Sequence, residues 1–60
     1  MAMRKLGRFQ DAIRDFSRAI NLRRADANLF YNRGIIYMEE LKQPVNAVKD
    51  FKRVLEIAPE

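Results

Sequence analysis

Two pairs of carboxylates and one serine are the side chains of this 60-residue chain whose types could support catalysis. Glu39 and Glu40 are adjacent, and Asp11 and Asp15 lie one helical turn apart. Ser17 has no base to activate it, because the sequence contains no histidine, and it contains no cysteine either. Paired acids on a helix are usually solvated, and nothing in the pattern would bury these. We therefore expect no enzyme, no catalytic residue, no metal site and no cofactor.

Phosphate binding is a second chemistry that the composition allows. The net charge is +4, and the basic residues concentrate in the first 33 positions. A basic face on short helices could bind nucleic acid, but acidic residues interrupt the run. A small basic nucleic-acid-binding domain is therefore the alternative that we favour less. The basic residues concerned are Arg4, Lys5, Arg8, Arg14, Arg18, Arg23, Arg24 and Arg33.

Membrane and secretory roles find no support in the sequence. No apolar run approaches the roughly 20 residues that span a bilayer. Residues 1–9 lack the apolar core of a signal peptide, and the absence of cysteine fits a reducing compartment. We expect no membrane partner and favour an intracellular location.

The elements that must position any functional side chain come from an internal repeat. Residues 1–25 laid on residues 36–60 match at 6 of 25 pairs. The shared stripe runs through Ala12 and Phe16 in the first copy and through Ala47 and Phe51 in the second. A period in this range is typical of stacked helical repeats, which bury their apolar faces against neighbouring units.

Apolar spacing of three and four residues predicts three helices, over residues 9–23, 27–41 and 45–57. Asp26 or Asn28 could cap the second helix, and Pro44 suits the first turn of the third. Gly34 lies in mid-helix, where glycine costs about 1 kcal/mol relative to alanine, so we expect another helix to approach it closely. Short connections make neighbouring helices antiparallel. The predicted fold class is all-α, an array of antiparallel helix-turn-helix repeats.

The order of small and aromatic residues resembles the tetratricopeptide repeat (TPR), a helix-turn-helix unit of 34 residues. The resemblance implies an α-solenoid fragment with a truncated first repeat at 1–26 and a complete second repeat at 27–60. The segment from Leu6 to Phe9 resembles the turn between the two helices of such a unit. The repeat's structural residues would be Ala12, Phe16, Phe30, Gly34, Tyr37, Ala47, Phe51 and Pro59.

Three departures from the family pattern bear on the stacking. Arg33 stands where the family usually has leucine, and Arg24 stands where the first repeat would close with proline. The spacing from Gly34 to Ala47 is one residue longer than usual. The extra residue predicts either a longer turn near residues 42–43 or a bulge in the helix before it.

The resemblance also implies a protein-interaction scaffold whose first helices line a concave groove for a peptide or a partner helix. A subfamily that clamps terminal carboxylates is matched only at Asn32, so we expect an apolar or mixed ligand instead. The groove positions carried over to this sequence are Asn28, Tyr31, Asn32, Ile35, Met38 and Glu39.

Assembly is the last expectation. Residues 1–8 supply only about two helical turns to cover the apolar face of the helix that begins at Phe9. That face is predicted to be underfilled, and repeat arrays generally need about three units to be stable. We expect the isolated chain to form a homo-oligomer, by stacking open faces or as a helix-exchanged dimer.

Overall fold

The structure, a computed structural model, describes the backbone of residues 2–58 and the side chains of residues 7–58. It contains three α-helices, α1 (Ala2–Leu22), α2 (Ala27–Ile35) and α3 (Pro44–Ile57). A π-helical segment, Ile36–Glu40, continues α2. No strand occurs within residues 2–58, so the all-α class is confirmed. The expected closing proline, Pro59, lies outside the described residues.

The turn predicted at Leu6 to Phe9 is wrong, because helix α1 runs without interruption from Ala2 to Leu22. The helix therefore does not begin at Phe9. Gly7 is the one helix-breaking residue in this stretch, and a single glycine costs only about 1 kcal/mol in a helix. Among the side chains that the structure describes, those of residues 7–58, none lies within 4 Å of the position that a Cβ at Gly7 would occupy. None of them packs at Gly7 in a way that would make the chain turn there.

The connection from α1 to α2 is the short turn expected at residues 23–26. Asp26 is the N-cap of α2, and its side chain accepts a hydrogen bond from the Asn28 backbone N–H at 3.1 Å. The carboxylate thereby satisfies one of the amides that a helix start leaves without a partner. Of the two capping residues proposed from the sequence, Asp26 is the one used.

The extra residue between Gly34 and Ala47 is absorbed in the π-helical segment. The Leu41 N–H donates to the Ile36 carbonyl, five residues back, at 3.0 Å. This wider turn holds one residue more than an α-helical turn does. The bulge is therefore confirmed, and the 27–41 helix is not α-helical throughout. Lys42 then takes a left-handed backbone conformation, with φ 55°, before α3 begins at Pro44.

The close contact between α2 and α3 lies where the small residues predicted it. A Cβ at Gly34 would lie 2.7 Å from the Cε1 of Phe51. Ala47 is fully buried on α3, and Phe30 is buried on α2. The absence of side-chain bulk at Gly34 lets the ring of Phe51 lie against the α2 backbone, so this contact fixes the packing of the two helices.

Helix α1 packs against α2 and the π-helical segment. Ile20 is buried on α1, whereas Phe9, Ala12, Ile13 and Phe16 remain partly exposed. The apolar face of α1 is therefore only partly covered, as the sequence predicted. Among the helices of residues 2–58, none combines the length and the hydropathy needed to cross a bilayer.

Candidate interaction surface

The residues carried over as groove positions lie on α2 and the π-helical segment, and we call them the groove row. Tyr31 is 51% exposed and Met38 is 38% exposed, so two large apolar side chains face solvent. Ile35 between them is partly buried. The remaining polar members, all exposed, are Asn28, Asn32 and Glu39.

The opposite side of α2 explains why the groove row faces outward. Phe30 and Gly34 are buried on α2, so this side of the helix is used for packing. Residues one and two positions away on a helix point to other sides. Tyr31 is also held in place, because its ring lies 6.0 Å from the ring of Phe51 and tilts 50° to it. An aromatic side chain fixed in this way loses little freedom when it contacts a ligand.

The π-helical segment changes the register of the groove row. The spacing from Asn28 to Ile35 is α-helical, whereas Met38 and Glu39 lie on the π-helical turn. A wider turn shifts the direction of these two side chains relative to Ile35. The row is therefore not the straight stripe that an α-helix over 27–41 would make.

A polar network that was not predicted from the sequence joins all three α-helices. Arg33 donates from Nε to Asp50 Oδ2 at 2.8 Å and from Nη2 to Asp50 Oδ1 at 2.7 Å. Its Nη1 donates to Ser17 Oγ at 3.0 Å, and the Ser17 hydroxyl donates to the Ile13 carbonyl at 2.8 Å. The Arg33–Asp50 ion pair is bidentate, and Asp50 is only 3% exposed. Charge-assisted bidentate pairs are the strong, directional kind.

This network removes Arg33 from the basic surface proposed for nucleic acid. The hydrogen bond to Asp50 raises the pKa of Arg33 above its ordinary value, against the lowering effect of burial. Its guanidinium also lies 5.7 Å from the Phe30 ring centre and 5.9 Å from that of Tyr37. Its charge is neutralised inside the fold, so its assignment to a solvent-facing basic surface was wrong. In the sequence, Arg33 stands where the family usually has leucine, which marks the position as unusual. Only the tertiary contact identifies Asp50 as its partner.

The side chains considered for catalysis lie apart or in solvent. Asp11 and Asp15 are exposed on α1, and Glu39 and Glu40 are exposed on the π-helical segment. Within the described part of the chain, no three acidic side chains gather as metal ligands would. Ser17 is engaged in the network with Arg33.

Three packed helices, a stripe repeated along the chain and a largely exposed row on the middle helix are typical of a helical-repeat protein. A family model described as TPR repeat matches residues 2–40, and one described as tetratricopeptide repeat matches residues 27–60. The chain belongs to the tetratricopeptide repeat family. Repeats of this family generally mediate protein–protein interactions and are typically non-catalytic. No curated protein and no solved structure matches the chain.

Proposed function

We propose that the chain is a non-catalytic scaffold or adaptor module that binds a peptide or a partner helix along the groove row. The observation that carries this proposal is the exposure of Tyr31 and Met38 on a helix whose other side is packed. Apolar side chains separated by about two helical turns suit the anchors of an extended or helical ligand. Met38 is unbranched and adapts to ligands of different shape.

The groove row suits an apolar or mixed ligand segment better than an acidic one. Asn28 and Asn32 supply amides that can donate to and accept from a peptide backbone, and Glu39 adds a negative charge at the other end of the row. None of the six positions carries a positive charge. In this proposal, residues 1–26 act as the truncated first repeat and residues 27–60 as the complete second one.

A peptide-display selection followed by affinity measurement tests the groove row. Selected peptides should bind the Tyr31→Ala, Met38→Ala double variant at least tenfold more weakly than the wild type. The control is Leu22→Ala, which removes an exposed apolar side chain at the end of α1, outside every surface proposed for binding. Equal binding of the peptides to the wild type and to the groove-row variant would contradict the proposal.

Tyr31→Ala also removes a ring contact with Phe51, so folding has to be checked by circular dichroism. Met38→Ala alone avoids this contact and should weaken binding by a smaller factor. If only the Leu22→Ala variant loses affinity, the ligand site lies near Leu22 and the groove row is the wrong surface.

We further propose that the isolated chain associates with itself. The face of α1 that includes Phe9, Ala12 and Phe16 is only partly covered, and Val45 and Leu55 lie exposed on α3. Burying such surface between copies would contribute about 25 cal/mol per Å². Helix α1 is already continuous through Leu6–Phe9, an extended form that suits a helix-exchanged dimer as well as stacking.

Light scattering coupled to size exclusion, run over a concentration series, tests this assembly. The mean mass should rise with concentration if copies stack through open faces. A helix-exchanged dimer should persist on dilution, because it separates only when its helices unpack. A strictly monomeric mass at high micromolar concentration together with a cooperative melt would contradict both forms.

A further inference from the structure

Helix α3 carries a second apolar groove, and none of the residues that line it belongs to the groove row. The groove has a volume of about 340 Å³ and is lined by Pro44, Val45, Val48, Lys49 and Lys52. One turn beyond Lys52 lies Leu55, which is 61% exposed. We call these six residues the outer face of α3. Exposed apolar groups with lysines beside them suit contact with another amphipathic helix.

The internal repeat shows what such a face binds, because this chain contains an equivalent face that is covered. The 35-residue offset aligns Val48, Lys52 and Leu55 with Ile13, Ser17 and Ile20 on α1. These α1 residues lie on the helix that packs against α2 and the π-helical segment. Ile20 is 9% exposed, while its counterpart Leu55 is mostly exposed. The equivalent stripe on α1 is therefore a helix-binding surface.

The charge at the centre of this surface differs between the two helices. On α1, the Ser17 hydroxyl accepts a hydrogen bond from Arg33 of the covering helix. On α3 the corresponding residue is Lys52, and Lys49 lies beside it in the groove. An ammonium group cannot accept a hydrogen bond and repels a guanidinium. Among the side chains of residues 7–58, the ion pairs are Arg33–Asp50 and Arg53–Glu56, so neither lysine is neutralised there.

We infer that the outer face of α3 binds a partner helix whose apolar stripe is flanked by acidic residues, with one carboxylate opposite Lys52. The carboxylate takes the place that Arg33 has at the contact between α1 and α2. Charge complementarity of this kind selects among partners and sets the register of the contact. A helix with the charge pattern of α2 is a poor occupant, because its arginine would face Lys52.

Two peptides derived from this chain serve as probes. Each contains residues 26–41, held helical by a staple between positions 31 and 35, which lie on the side away from Arg33. The first keeps Arg33, and the second carries Arg33→Glu. Fluorescence anisotropy measures the binding of each peptide to the full 60-residue chain. The wild type should bind the Arg33→Glu peptide at least about fivefold more tightly than the Arg33 peptide, the effect of one well-formed surface pair.

The reciprocal variant makes the charge test specific. Lys52→Glu should reverse the preference, so that the Arg33 peptide binds more tightly than the Arg33→Glu peptide. Lys52→Ser recreates the residue found on α1 and should also favour the Arg33 peptide. Lys52 is exposed, so these variants should keep the wild-type melting behaviour.

A third variant separates docking from exchange of the peptide with α2 itself. Val48→Asn, Leu55→Asn removes apolar surface from the outer face without adding charge, and it should abolish the binding of both peptides. Exchange with α2 would be insensitive to these two residues. The inference is overturned if the double variant binds as the wild type does, if the identity of residue 52 leaves the peptide preference unchanged, or if neither peptide binds the wild type. The varied residues of the full chain all lie on α3, so these readouts do not depend on the groove row of the full chain.

Discussion

Helices α1 and α3 carry the same stripe, yet the structure buries opposite sides of it. On α3, Ala47 and Asp50 are buried, whereas their counterparts on α1, Ala12 and Asp15, are partly or largely exposed. The flank that includes Ile20 shows the reverse, since Ile20 is buried on α1 and its counterpart on α3 is exposed. Each helix is therefore covered more completely on one flank than on the other.

The difference shows that one amphipathic stripe serves two neighbours. Helix α2 covers one flank of α3 through the contact between Gly34 and Phe51. It also covers the other flank of α1, where Ser17 meets Arg33. Burial in a repeat depends on which neighbour is present, because each unit buries its apolar face only by stacking. The identical aspartates and the aligned apolar residues make this dependence measurable.

The largest difference between the two helices should appear at the aspartates. Asp50→Asn leaves the partly buried Arg33 guanidinium without its counter-charge, which should cost about 3 kcal/mol in the free energy of unfolding. Asp15→Asn changes an exposed side chain and should cost less than about 0.5 kcal/mol. Urea denaturation followed by circular dichroism measures both. Equal losses would mean that the network with Arg33 does not stabilise the fold.

The next effect concerns the flank that α2 covers on α1. Ile20→Ala removes a buried side chain and should lower the free energy of unfolding by about 2 kcal/mol. Leu55→Ala at the equivalent place on α3 should cost well under about 1 kcal/mol, because Leu55 already contacts water. The same denaturation series, run at one protein concentration, compares them. A larger loss for Leu55→Ala would show that this residue is buried in solution, for instance in an oligomer.

A third pair of variants examines the contact between α2 and α3. Ala47→Leu forces added bulk into a fully buried position and should destabilise the fold by about 1–3 kcal/mol. Ala12→Leu, on the partly exposed counterpart, should be close to neutral. Thermal melts distinguish the two. An unchanged melting temperature for Ala47→Leu would count against the packing of α3 on α2.

The smallest effect compares the two glycines, which lie in helices with different surroundings. Gly34→Ala gains helix propensity but drives a Cβ to 2.7 Å from the Phe51 ring, so we expect a net loss of about 1 kcal/mol. Gly7→Ala brings its Cβ within 4 Å of none of the described side chains and should stabilise α1 by about 0.5–1 kcal/mol. Helix content and melting temperature report both changes. Stabilisation by Gly34→Ala would show that α2 and α3 are further apart.

Features that depend on neighbours along the chain could be predicted from the amino-acid sequence. The spacing of apolar residues located the helices, and Pro44 marked the start of α3 because its fixed φ suits the first helical turn. Asp26 was recognised as a capping residue for the same kind of local reason. Gly34 could be predicted to lie at a helix contact, since a glycine in mid-helix is costly unless something packs against it.

Tertiary structure alone decided the features that depend on what lies across space. The sequence allowed a longer turn or a bulge for the extra residue, and the π-helical segment is the outcome, with Gly34 facing Phe51. The turn expected at Leu6–Phe9 did not form, since no side chain among residues 7–58 packs at Gly7 to offset the helical preference of its neighbours. The groove row was carried over from the family resemblance, but its register beyond Ile35 follows from the π turn.

Arg33 shows the physical reason for this division. An arginine at an apolar position has no predictable partner along the chain, because Asp50 lies 17 residues away and Ser17 lies 16 residues away. Only the packing of three helices brings these groups within hydrogen-bond distance and withdraws them from water. A charge that the less favoured nucleic-acid alternative placed on the surface is instead part of a partly buried connection among the three helices.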